Sequence, residues 1–119
     1  MSTEGYRDLK VWQKGIDFVQ EVYRISSSFP DDERFGLTAQ IRRAAVSVPS
    51  NIAEGRGRGS DKEFIRFIHI ALGSLAEVDT QLEVAVRLHF IREQETQQAR
   101  TTLVEIRRML FALKNSLKS

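Results

Sequence analysis

The spacing of the apolar residues constrains the fold more than any other feature of this sequence. Apolar residues recur at intervals of three and four along nearly the whole chain, which is the period of an amphipathic helix. The alternation of β-branched and polar residues that would indicate strands is absent. Turn signals interrupt the pattern at 26–32, at 55–60 and, more weakly, at 92–96. The sequence therefore predicts an all-α protein.

The interruptions divide the chain into four predicted helices, at about 8–28, 32–55, 61–91 and 94–117. Because the connections between them are short, consecutive helices should run in opposite directions. We therefore expect an antiparallel up-down-up-down four-helix bundle. No repeat or linker divides the 119 residues, so we expect a single domain over 1–119.

Several residues mark the predicted helix boundaries. Asp8 is the candidate N-cap of the first helix, and Asp31 or Asp32 that of the second. Gly55 should end the second helix as the residue just beyond it. Ser60 with Glu63 forms a capping box for the third helix.

Pro49 lies inside the predicted second helix. A proline there removes one backbone hydrogen bond and crowds the preceding turn, at a cost of about 3 kcal/mol. We expect a kink at this residue, with a break into two short helices as the alternative.

The first helix carries more apolar surface than one intramolecular neighbour needs. Its two apolar stripes merge into an arc of roughly 200°, about twice the width of an ordinary core-facing stripe. We interpret the excess as a subunit interface, with an unusually central helix as the alternative. The candidate interface residues are Val11, Phe18, Val22 and Ile25.

The residue types that support catalysis or metal binding are scarce. The chain has no cysteine and two histidines, and it lacks both the Glu-x-x-His and the His-Glu-x-x-His motifs. His89 falls on the apolar stripe and should lie at the edge of the core, whereas His69 should be solvated. We interpret the carboxylates at 77, 79 and 83 as partners for arginines on neighbouring helices. We therefore expect no enzyme, no cofactor and no metal.

A line of polar residues runs beside the apolar stripe of the second helix. Its members, spaced at four, four and three, are Arg43, Ser47, Asn51 and Glu54. The two charged members lie about 16 Å apart along the axis, so each needs a partner on another helix or subunit, and Glu77 or Asp79 is a candidate member of the network. We interpret this polar seam as an interhelical network, with a ligand site as the alternative.

The charge is distributed unevenly, although the formal net charge is only +2. Residues 1–33 hold four basic and seven acidic side chains, whereas residues 100–119 hold five basic and one acidic. The glycine-rich segment 55–59 lacks the strand and the Gly-Lys-Ser/Thr ending of a P-loop, but its arginines precede a helix N-terminus. That loop would either contact phosphates or be merely solvated. The candidate phosphate-contacting residues are Arg42, Arg56, Arg58 and Lys62 around the turn, with Arg107, Arg108 and Lys114 on the fourth helix.

Three sequence blocks together span nearly the whole chain. The main block comprises Phe29-Pro30 through Gly36-Leu37 and then the sixteen residues QIRRAAVSVPSNIAEG at 40–55. The other two are LKVWQK at 9–14 and ALGSLAEVDTQL at 71–82. In their residues and their order, these blocks resemble the four-helix-bundle family known from 23S rRNA intervening sequences.

This resemblance implies a homopentameric ring and a kinship with the accessory variability protein of diversity-generating retroelements. Relatives of that kind are similar in using a basic surface to engage RNA or DNA and a reverse transcriptase. Our leading interpretation is thus a non-enzymatic, homo-oligomeric scaffold that associates with nucleic acid. The alternative is a protein-interaction adaptor whose basic residues pair with the acidic first helix of the next subunit.

The sequence also bears on location. The segment 1–6 lacks the apolar core of a signal peptide, and no run reaches the roughly 18 apolar residues of a membrane span. We expect a cytoplasmic protein with no membrane partner.

Overall fold

Four α-helices and three short 3-10 turns make up the computed structural model, which describes residues 5–117. The helices are α1 (Lys10–Ser26), α2 (Leu37–Arg56), α3 (Asp61–Arg87) and α4 (Gln97–Ser116). The 3-10 turns are Tyr6–Asp8, Asp31–Glu33 and Glu93–Thr96. The described residues contain no strand, so the predicted all-α class with four helices is confirmed. No helix within residues 5–117 combines the length and the apolar character needed to cross a membrane.

The four helices share one hydrophobic core. α2 packs against α1 and α3, and α4 packs against the same two helices. Each helix contributes side chains with essentially no exposed surface, and each such large apolar side chain stabilises the fold by about 1.5–3 kcal/mol through its burial. The largest of them include Phe18, Ile41, Ile52, Ile68, Leu75, Leu82, Leu103, Ile106 and Leu110.

The structure corrects the expected interface on the first helix. Phe18 and Val22 are completely buried and Val11 is 4% exposed within a single copy, so these side chains belong to the core. Ile25 is half-buried and packs against that core. The wide apolar arc arises because α1 contacts both α2 and α4. The outward part of the arc is the apolar stripe that includes Ile16 and Tyr23, and both of these side chains are exposed.

The beginnings of α1 and α2 differ from the predicted ones. Asp8 lies in a 3-10 turn, and α1 starts after Leu9 without a side-chain cap. α2 starts at Leu37, later than predicted, because a 3-10 turn occupies the predicted first turn of the helix. The Leu37 backbone N–H donates to Glu33 Oε1 at 2.9 Å. The predicted caps Asp31 and Asp32 lie in that 3-10 turn.

α2 runs unbroken from Leu37 to Arg56, so the alternative of two short helices is wrong. Pro49 is buried against α1, where a Cβ at Gly15 would lie 3.2 Å from the proline Cβ. The glycine therefore permits close packing of the two helices. Gly55 lies within α2 and not beyond its end, and Gly57 is the C-cap residue. The kink at Pro49 stays a prediction.

The start of α3 agrees with the sequence, but its end does not. Ser60 Oγ accepts a hydrogen bond from the Glu63 N–H at 3.2 Å, which confirms Ser60 as the N-cap. α3 ends at Arg87, four residues earlier than predicted, and Phe90 N–H donates to Ala85 O just beyond it. His89 adopts a left-handed φ of 65° and is exposed, so its predicted place at the core edge is wrong.

Glu21 is the one carboxylate among the described residues that is buried in the core region. Thr102 Oγ1 of α4 donates to Glu21 Oε2 at 3.2 Å, whereas Glu21 Oε1 is buried without a hydrogen-bond partner. Burial raises the pKa of Glu21 above its ordinary value of 4.5, against the opposing hydrogen bond from Thr102 and the positive charge of Arg24. The contribution of Glu21 to stability should therefore depend on pH.

We expect Glu21→Gln to raise Tm by about 4 °C at pH 7, which corresponds to about 1 kcal/mol for a domain of this size. Because the folded pKa is raised, the stabilising effect of protonation is complete below 4.5 and is lost as pH rises through the folded pKa. The gain should therefore vanish near pH 4. Thermal melts of both proteins at several pH values measure it, with the exposed Asp17→Asn as control. A gain in Tm that did not change with pH would contradict the raised pKa of Glu21 in the folded protein.

Candidate nucleic-acid interface

The turn between α2 and α3 brings several basic side chains to one end of the bundle. The four residues between Arg56 and Asp61 are exposed, and Gly59 adopts a left-handed φ of 84° that a side chain would strain. Arg58 and Lys62 are exposed on either side of this glycine, and Arg56 is half-buried at the end of α2. The turn therefore presents three of the predicted phosphate-contacting residues together.

Two guanidinium groups lie within 5 Å of the ring centroid of Phe67, a buried side chain on α3. The Arg58 guanidinium carbon lies 4.9 Å from the ring centroid, and that of Arg66 lies 4.6 Å from it. Each arginine also forms an ion pair. Arg58 pairs with Glu54 of α2 at 2.9 Å, and Arg66 pairs with Glu63 of α3 at 3.1 Å. Because exposed ion pairs contribute at most about 1 kcal/mol, a phosphate group can replace these carboxylates at little cost.

Arg66 was missed by the sequence analysis. Its signal was available, since it lies four residues after Lys62 and three after Glu63 on the same helix. What the sequence does not reveal is that Arg58, in the turn, and Arg66, on the helix after it, lie against the same aromatic ring.

Arg56 adds a further donor at this end. Its Nε is buried and has no hydrogen-bond partner among the described residues. A buried donor without an acceptor costs free energy, so an anion that reached this group would be stabilised.

The carboxyl end of α4 lies beside the first half of α3. Lys114 lines a surface cleft with Ile65 and His69, and its Nζ lies 5.3 Å from the centroid of the Phe111 ring. Lys114 is therefore at the same end of the bundle as the α2–α3 turn. Arg107 and Arg108 are exposed on α4, about 9–10 Å further along the helix axis. We call the set Arg56, Arg58, Lys62, Arg66 and Lys114 the basic end.

Arg42 does not belong to the basic end, which corrects its predicted place beside the turn. It lies fourteen residues before Arg56 on α2, about 21 Å along the axis. Its Nε donates to Ser26 Oγ at 2.8 Å and its Nη2 to Tyr23 O at 3.2 Å, and the guanidinium lies 4.4 Å from the Tyr23 ring centroid. Arg42 therefore satisfies the carboxyl end of α1.

The polar seam is smaller than predicted. Ser47 Oγ lies 2.8 Å from Ser74 Oγ of α3, and Asn51 Nδ2 donates to both Ser47 Oγ and Ser47 O. These three residues form the interhelical network.

The charged members lie outside this network. Arg43, Glu54 and Glu77 are exposed, and Glu54 pairs with Arg58 and not with another helix. Arg43 and Glu77 line a surface cleft without an ion pair closer than 4.0 Å among the described residues. The expectation that both charges need interhelical partners is wrong, because neither is desolvated.

Two carboxylates of the predicted cluster on α3 bind an arginine of α4. Arg100 Nη2 lies 3.2 Å from Glu83 Oε1, and Arg100 Nε lies 4.0 Å from Asp79 Oδ1. Hydrogen bonds from Arg87 and from Arg100 lower the pKa of Glu83. Within residues 5–117, no three histidine, aspartate or glutamate side chains are grouped so that they could hold a metal ion.

Comparisons with known proteins identify a family match and a similar solved structure. A family-wide sequence model described as 23S rRNA-intervening sequence protein matches residues 7–112. A crystal structure of a protein of unknown function from the S23 ribosomal protein family of Bacteroides thetaiotaomicron superposes with a TM-score of 0.79 at 24% sequence identity. That alignment covers 87% of this chain and 97% of the other, and it shows a shared fold. No curated protein matches the chain.

Proposed function

Because the chain belongs to the 23S rRNA-intervening sequence protein family, we propose that it is a non-enzymatic, homo-oligomeric scaffold that associates with nucleic acid. The observation that carries the proposal is the basic end, where the Arg58 and Arg66 guanidinium groups lie against the Phe67 ring and Arg56 holds a donor that is unpartnered within residues 5–117. The family's description, which refers to 23S rRNA, supports RNA as a ligand. Under this proposal a reverse transcriptase is a further partner of the chain, and the chain itself is located in the cytoplasm.

The architecture within this proposal is an antiparallel up-down-up-down bundle. Contacts between neighbouring helices support it, because residues later in one helix meet residues earlier in the next. Lys14 pairs with Glu105 at 2.9 Å, whereas Glu21 contacts Thr102, and this order of contacts supports opposite directions for α1 and α4.

Assembly is the second element of the proposal, with five subunits as the number that the resemblance implies. A ring repeats the basic end of every subunit, and the summed field attracts a polyanion more strongly than a single chain of net charge +2 does. Such binding is largely independent of sequence, because phosphates and not base edges are contacted.

We expect the double variant Arg56→Ala with Arg58→Ala to flatten the salt dependence of nucleic-acid binding. Log K should fall linearly with log salt, and the magnitude of the slope should decrease by roughly 0.9 for each duplex phosphate contact that is lost. Titration of structured RNA and of duplex DNA between about 50 and 200 mM salt measures this slope. Light scattering on the same samples reports assembly.

The matched control is Arg87→Ala with Arg92→Ala. This pair removes two exposed, ion-paired arginines outside the basic end and lowers the net charge equally. It should leave the slope nearly unchanged. Equal losses in both variants would show that only total charge matters, and no binding at about 50 mM salt and micromolar protein would favour the adaptor function.

A further inference from the structure

Phe35 is far more exposed than any other large apolar side chain of the described residues. Its exposed fraction is 87%, whereas the next highest is 55%, at Leu88. The loop that carries it is held by hydrogen bonds: Gly36 N–H donates to Glu33 O and Leu37 N–H to Glu33 Oε1, both at 2.9 Å. An apolar side chain presented on a fixed loop is typical of an anchor residue for a partner.

An apolar cleft between α1 and α2 is suited to such a side chain. We call it the α1–α2 cleft, and its volume is about 300 Å³. A cavity of roughly 150 Å³ holds a benzene ring, so the cleft has room for the benzyl group of a phenylalanine and part of its loop. The residues that line it are Tyr6, Trp12, Ile16, Val19, Val46, Pro49, Ser50 and Ala53.

Phe35 cannot occupy the cleft of its own chain. The cleft residues on α2 lie between Val46 and Ala53, whereas Phe35 precedes the start of that helix at Leu37. At 1.5 Å per residue, Pro49 is about 18 Å along the axis from the first residue of α2. Only a Phe35 side chain from another copy can therefore reach the cleft.

We propose that Phe35 of one copy inserts into the α1–α2 cleft of a second copy. Charge supports this occupant. Asp31 and Asp32 are exposed on the loop of Phe35 and outnumber its one arginine, Arg34, whose guanidinium carbon lies 5.3 Å from the Phe35 ring centroid. Arg7 and Lys10 are exposed at the α1 end of the cleft, where they outnumber Asp8. This inference rests on the self-assembly in the proposed function and identifies the contact that produces it.

The contact is heterologous, because the anchor and the cleft are different surfaces. Each copy therefore donates one Phe35 and offers one cleft, so that a chain of contacts closes into a ring if the rotation permits. The test uses this asymmetry. Phe35→Ser removes the anchor, and Ile16→Glu places a carboxylate in the wall of the cleft.

Each variant alone should assemble at least tenfold more weakly than the parent by light scattering, because loss of a buried aromatic anchor typically costs a factor of ten or more. An equimolar mixture should form a species of two chains, since the intact Phe35 of Ile16→Glu fits the intact cleft of Phe35→Ser. Leu88→Ser, a control at the next most exposed large apolar side chain of the described residues, should assemble like the parent. Circular dichroism melts check that every variant is folded.

Assembly of Phe35→Ser at the parent's strength, or a mixture that stays monomeric, would overturn this contact while leaving the scaffold function intact. A parent protein that is monomeric at all concentrations would overturn both the contact and the assembly. Failure of nucleic-acid binding is read separately, from the salt titrations of the same parent protein.

Discussion

Replacement of Phe18 by alanine should lower the free energy of unfolding by about 3–5 kcal/mol, the usual cost of removing a fully buried aromatic ring. Phe18 has no exposed surface, and its helix, α1, packs against both α2 and α4. The surrounding side chains cannot collapse into the space, because three helices would have to shift together. Urea unfolding followed by circular dichroism gives the change directly.

The matched control is Ile16→Ala on the same helix. Ile16 is 38% exposed, so its truncation should cost less than about 1 kcal/mol. The charged variant Phe18→Glu should lose its helical signal altogether. If the Phe18→Glu protein kept its helicity and only dissociated, the result would contradict the assignment of Phe18 to the core and would place it at a subunit interface.

Substitution of Gly55 by alanine should destabilise the protein by about 1–3 kcal/mol, although alanine is the better helix former. A Cβ at position 55 would lie 2.7 Å from Phe67 Cβ and 3.0 Å from Phe64 Cδ1. The Phe67 Cβ is attached directly to the α3 backbone and cannot rotate away. α2 and α3 must therefore separate locally, which would also disturb the aromatic ring between Arg58 and Arg66.

Gly73 provides the control of opposite sign. It lies inside α3 with no atom within 4 Å of the position that a Cβ would occupy. Gly73→Ala should therefore stabilise the protein by about 0.5–1 kcal/mol through helix propensity alone. Thermal melts of the two variants and the parent measure these changes in stability. A gain in stability from Gly55→Ala would contradict the close approach of α2 and α3.

The apolar periodicity predicted the helices well because it records which faces are buried. Recognition of the family from its three blocks is confirmed by the match over residues 7–112. Helix ends were less predictable. The 3-10 turn Asp31–Glu33 and the left-handed His89 shorten α2 and α3. Phe29 and Phe90, which lie close to these two features in sequence, have ring centroids 5.9 Å apart, a tertiary contact that spacing along the chain does not reveal.

The candidate sites were predicted less completely, because spacing along one helix does not say which neighbour covers it. The arc on α1 looked like an interface, yet Phe18 and Val22 are in the core. Arg42 and Arg56 looked like one surface, yet Arg42 binds the carboxyl end of α1, whereas Arg56 lies about 21 Å away at the carboxyl end of α2. The exposure of Phe35 could not be read from a sequence in which most aromatic residues are buried or half-buried.

The uneven charge of the bundle also has a kinetic consequence. The basic end and the exposed carboxylates of Asp31 and Asp32 lie towards opposite ends of a molecule about 46 Å long, which gives it a permanent dipole moment along its long axis. In the field of a polyanion or of another copy, such a dipole rotates before contact and raises the fraction of productive encounters. Added salt shortens the range of that torque, so association slows while the lifetime of the formed complex changes much less.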